Sequence, residues 1–171
     1  MSRTISVSYS PGMALFGRTR TATGAGVVAT LVLILVFGNE AYTEWAGRHT
    51  NANSVWGFFL RELGWPSWVV TSSDSIRDLI ARDLRALLLL LFVALVLSIA
   101  GAGAVSGGAR FVIGWSSLIF ASALAALLTS FINANASWLG ALGAASDGSR
   151  YGLWVGWIVG IAVAAAKGKA A

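Results

Sequence analysis

Three side chains are the natural place to look for chemistry in this chain. Glu40, Glu44 and His49 form the one grouping whose types and spacing resemble a catalytic or metal-binding set. Two carboxylates and an imidazole can ligate a metal, or act as acid and base once their pKa values are separated. If residues 40–49 form a helix, Glu40 and Glu44 share a face one turn apart and His49 turns away from it. Arg48 falls on the same face and neutralises the pair, so the spacing predicts a solvated, salt-bridged helix and no metal site. His49 alone is expected to meet solvent or lipid headgroups. No serine or cysteine nucleophile motif, phosphate loop or dinucleotide fingerprint is present. Cysteine is absent, which removes disulfides and thiolate ligands. The expectation is a non-catalytic protein that uses no cofactor.

The elements that would position these residues read as membrane elements. The chain has 171 residues, 57% hydrophobic and 11% charged, where soluble domains carry about 25% charged residues. Residues 73–105 organise the rest. Ile76, Leu79, Ile80 and Leu84 recur on one helical face, with Arg77, Asp78, Arg82 and Arg85 opposite. After Arg85 the charges stop, and residues 86–105 are long enough to cross a hydrocarbon core of about 30 Å. Ser72 or Ser73 is expected to cap this helix, with Asp74 in its first turn, where a negative charge suits the helix dipole.

The same reasoning gives an all-α integral membrane protein with four spans, at 21–38, 86–105, 111–132 and 151–166. Residues 1–20 form a polar tail with Arg3, Arg18 and Arg20. The run after it reads as a retained span, because the residues from Gly38 to Tyr42 match a signal-peptide cleavage site poorly. Residues 39–85 read as an amphipathic, aromatic cap outside the membrane. Two helical pieces, 40–49 and 53–65, end at Pro66, and Trp45, Trp56, Phe59, Trp65 and Trp68 suit the headgroup zone. A glycine-rich turn with Arg110 makes spans two and three a tight hairpin. Residues 133–150 are expected as an extracytoplasmic loop around the short apolar piece WLGALGAA, lying in the interface or re-entrant. Residues 167–171 form a tail with Lys167 and Lys169. The arginines of the first tail, Arg110 and the two lysines fall on one side, which predicts cytoplasmic termini; Arg82 and Arg85, beside span two, weigh against it. The basic residues sit near membrane boundaries, so nucleic acid is not an expected partner. Arginine outnumbers lysine ten to two, and alanine and glycine abound, a usage associated with high-GC bacteria and hence with an inner membrane.

The four spans hold no Asp, Glu, Lys, Arg or His, whereas proton and ion pathways need ionisable groups at depth. That weighs against a self-contained pump or proton-coupled carrier. Thr30, Ser98, Ser116, Ser117, Ser122 and Thr129 are expected to bond back to their own helices or bridge to neighbours. Gly152, Gly156 and Gly160, continued by Ala164, strip one face of span four for close helix packing. That packing could be against span one or three, against a partner protein, or in self-association. Ser122, Ala126 and Ser130 form a similar seam in span three, with Ala123 beside it. Span two, rich in leucine, is expected to face lipid. The reading that fits best is a small accessory, assembly or stabilising subunit of a larger complex, for example a respiratory or transporter complex. Its partners would be other integral membrane subunits and the bilayer. The alternatives are an oligomeric transport or channel component, and a membrane enzyme acting on lipid or quinone through Glu40, Glu44 and His49.

Overall fold

The computed structural model describes residues 21–68, 75–102, 105–132 and 137–166, all helix and short connection with no strand among them. Six helices follow in order: α1 (Ala22–Phe37), α2 (Glu40–His49), α3 (Val55–Leu63), α4 (Ile76–Ile99), α5 (Gly107–Ser130) and α6 (Trp138–Ala165). The two tails, and the expected caps Ser72 and Ser73 with Asp74, lie outside the described residues.

Polar side chains start the helices by accepting a first-turn N–H: Thr21, Asn39, Ser54, Ser75 and Ser137. At Ser75 the bond is reciprocal, because Asp78 at the third helical position reaches back to the Ser75 N–H. Asn39 serves two helices. Its Nδ2 donates to Val36 O at 2.7 Å, and its Oδ1 accepts from Tyr42 N at 2.8 Å. One side chain thus closes α1 and opens α2, which leaves at 65°.

Among the described residues, only α5 is long and apolar enough by itself to cross a membrane, and α1 with α2 passes the same test as a bent pair. The composition suggested four spans. Helix α1 has 16 residues, about 24 Å at 1.5 Å per residue. Helix α4 keeps Arg82, Asp83 and Arg85 in its body, and glycine, tryptophan and Arg150 dilute α6.

Of the loop expected over 133–150, the part from Trp138 onward is helical. Residues 138–165 make one continuous helix of 28 residues, joining WLGALGAA to the fourth apolar segment. Asp147, Gly148 and Ser149 look like turn formers, but each is accommodated. Asp147 pairs with Arg150 at 3.4 Å, Ser149 Oγ donates to Ala145 O, and Gly148 lies against the backbone of Ser122.

The tightest contact is the antiparallel hairpin of α5 and α6. A Cβ added at Gly148 would overlap Ser122 O, and one at Gly152 would overlap Ile119 Cα. At Gly156 it would come 2.6 Å from Trp115 Cδ1, and at Gly160 2.8 Å from Phe111 O. Each turn down α6 is therefore met by one turn up α5, backbone against backbone. Helix α1 crosses at Gly26, where a Cβ would overlap Leu97 and come 3.0 Å from Val163. Leu89, Val93 and Leu97 of α4, Leu118 of α5, and Val155, Val159 and Val163 of α6 fill the core without solvent exposure. On the other side of α4, Leu87, Leu91, Leu95 and Ile99 stand exposed at one-turn spacing.

The hydroxyls of the apolar segments bond mostly to their own helices: Thr30 to Gly26 O, the exposed Ser98 to Ala94 O, Ser116 to Ile113 O, Ser117 to Gly114 O and Thr129 to Ala125 O. Ser122 Oγ lies 2.6 Å from both Leu118 O and Gly148 O, so its proton can serve its own helix or tie α5 to α6.

Candidate functional site

Helices α2 and α3 pack over the bundle, joined by two fastenings. Tyr42 Oη donates to Leu60 O at 2.8 Å, and burial pushes the phenol pKa up. The Arg61 guanidinium donates to Gly47 O at 3.0 Å and Thr50 O at 2.7 Å. Beneath them Trp68 Nε1 donates to Ile34 O at 3.2 Å, and Leu63 is buried in the core.

Helix α3 then leans on α6 and leaves an aromatic groove between them. Val55, Trp56 and Phe59 form one wall, Leu153, Trp154 and Trp157 the other, and Trp115 of α5 the floor, enclosing about 620 Å³. The rings are set by contact: Phe58 meets Trp154 edge-on at 5.5 Å, and Phe59 stacks on Trp157 at 6.4 Å. Trp115 Nε1 donates to Leu153 O at 3.0 Å, so the floor is tied to the far wall.

A charged collar tops this groove. Arg150 lies one turn above Trp154 on the same face of α6, and its Nε donates to Glu62 Oε1 at 3.1 Å. Its guanidinium also lies 5.8 Å from the centre of the Phe58 ring. The Glu62 side chain is 12% exposed. Burial raises its carboxyl pKa above the usual range, against the opposing pull of the Arg150 charge and hydrogen bond. Arg85, at the foot of the charged part of α4, donates to Thr129 Oγ1 at 3.2 Å and lies 5.7 Å from the Trp65 ring centre. Burial, and then the neighbouring Arg82 charge, lower its pKa, while Asp147 opposes them. Trp65 in turn packs 4.8 Å from the ring of Tyr151. Tyr151 is fully buried, and its hydroxyl meets no partner among the described residues.

Glu40, Glu44 and His49 are not gathered into a site. Glu44 pairs with Arg48 at 3.1 Å, both well exposed, and Glu40 stands in solvent at the start of α2. His49 Nδ1 lies 3.0 Å from Trp45 O, with its ring stacked on the indole. Among the described residues, no three His, Cys, Asp or Glu come together as a metal would need. Gly152, Gly156 and Gly160 face α5 within the chain, and Ala164 is half-buried near the carboxy-terminal end of α6. Trp56 and Phe59 stand in the groove, Trp65 lies between Arg85 and Tyr151, and Trp45 and Trp68 are a little under half exposed. Sequence reasoning missed Glu62, Arg150 and Trp115. The spacing of Arg150, Trp154 and Trp157 on one helical face was a signal for part of this set.

Comparison with family models, with curated proteins and with solved structures gives no match.

Proposed function

We propose that this chain is a four-span bacterial inner-membrane protein with cytoplasmic termini, serving as a non-catalytic accessory or assembly subunit of a larger membrane complex. The spans in this reading are α1, the part of α4 after Arg85, α5, and α6 from Tyr151 onward. The outer end of the α5–α6 hairpin carries the proposal. Arg110 Nη1 donates to Ala166 O at 2.9 Å and marks the inner boundary. About 30 Å of hydrocarbon measured from there ends near Asp147. Helix α6 continues outward for about two turns more, and the Arg85–Thr129 bond ties the end of α5 to the charged part of α4. On that outer section Trp138, Leu139 and Leu142 are 75%, 82% and 60% exposed. Large apolar side chains held beyond the hydrocarbon favour a protein neighbour. The glycine seam is used up inside the chain, so a partner would have to dock elsewhere.

The test is co-purification through a carboxy-terminal tag in mild detergent, with companion chains identified by mass spectrometry. A stoichiometric companion is expected, and it should be lost in Leu139→Asp while that variant keeps its helical circular dichroism. A lone monomer or homo-oligomer, or a companion indifferent to Leu139→Asp, overturns the proposal.

A further inference from the structure

We infer that the aromatic groove holds one outer-leaflet phospholipid, its acyl chain along Trp115, Trp154 and Trp157 and an amine-bearing, zwitterionic headgroup at Arg150 and Asp147. The inference rests on the four-span reading for its depth, and is independent of the accessory role. Three observations converge on it.

The first is depth. Arg150 stands close to the outer edge of the hydrocarbon, and the groove opens one turn lower at Trp154. From Arg150 to Trp157 is about 10 Å along the helix, the zone taken by the first half of an acyl chain. The second is shape. The groove encloses about 620 Å³ with no charged residue in its lining, within the size range of ligand sites and almost wholly apolar, as an acyl chain requires. A smaller recess of about 230 Å³ adjoins it through Val55 and Trp154, lined also by Asn53 and Ser54. This gives the polar glycerol region somewhere to sit.

The third is charge. The Arg150 and Asp147 side chains are 50% and 60% exposed and lie 3.4 Å apart. A cation beside an anion at the mouth complements a phosphate beside an ammonium. Glu62, nearly enclosed, holds Arg150 from behind. A headgroup that is only anionic would find Arg150 but also two carboxylates. The collar therefore favours the zwitterion.

Full-length protein reconstituted in nanodiscs with equal phosphatidylethanolamine and phosphatidylglycerol, of matched chains, is released into native mass spectrometry. One retained lipid is expected, with the ethanolamine form enriched about threefold, as one exposed charge contact supplies. Asp147→Asn should keep the lipid and erase the preference. Val55→Trp alters a rim residue that is 74% exposed, so it should fill the groove without disturbing the core and remove the lipid. Lipids retained in bilayer proportion, a preference for the glycerol headgroup, or a lipid that survives Val55→Trp each overturn the inference. A protein that inserts but retains lipid unselectively sinks the lipid site alone. One that does not enter the nanodisc sinks the four-span reading with it.

Discussion

Helix α6 shows two faces of opposite construction. On one, Gly148, Gly152, Gly156 and Gly160 admit the α5 backbone to the distance where a single methyl would collide. On the other, Trp154 and Trp157 hold α3 away and leave an open groove. The same helix is closed where side chains are missing and open where they are largest. In lipid, where apolar burial alone does not drive helices together, close contact comes from fit and interhelical bonds. The glycine face has that fit. The tryptophan face creates a space, and the charged collar above it fixes the spacing.

That contrast can be broken most severely at its closed side. Gly152→Leu would drive a branched side chain into the Ile119 backbone and should cost about 3 kcal/mol or more, read as a large fall in thermal midpoint in detergent. Gly143, around whose absent Cβ nothing lies within 4 Å, should accept alanine with little change and serves as the control.

The collar comes next. Arg150→Met leaves the enclosed Glu62 carboxylate without its donor, which should loosen the cap by about 1–3 kcal/mol. Limited proteolysis between α2 and α3 would report it. Glu62→Gln should cost much less, because burial already disfavours the charged carboxylate. The sign of the pH effect follows from the raised folded-state pKa of Glu62. Its contribution to docking is full below the pKa of the free cap and is lost as pH rises through the folded value. Mild acidification should therefore tighten the cap, and Glu62→Gln should abolish that response. A cap that loosens on acidification in the wild type would contradict it. The smallest effect lies far from both faces. Arg48→Ala removes an exposed ion pair and should change stability by no more than about 0.5 kcal/mol.

Much of the helical framework was legible in the residues. The helical pieces read at 40–49 and 53–65 contain α2 and α3, and the apolar spacing after Ile76 announces α4. The glycine stripe of α6 was visible as a close-packing face, but not which helix fills it, because periodicity names a face and not its neighbour. The unbroken course of α6 through Asp147–Ser149 was hidden. Local propensity there favours a turn, and the contact that overrides it comes from Ser122. Helix α5 likewise begins at Gly107 within a glycine-rich stretch that reads as a turn. The collar was illegible for a related reason. Glu62 and Arg150 are 88 residues apart, and no local pattern links them. Glu40, Glu44 and His49 stood out because they are near in sequence, yet nearness along one exposed helix does not build a site.

The same separation has a consequence for the order of events during synthesis. When Glu62 leaves the ribosome, its partner is still 88 residues away, a delay of roughly 4 to 18 s at ordinary elongation rates. For that interval the aromatic side of α3 has no wall to close against, whereas α5 and α6 pair soon after both emerge. A nascent chain arrested just before Ser149 should therefore be cut by protease between α2 and α3, and one arrested well past the final helix should resist.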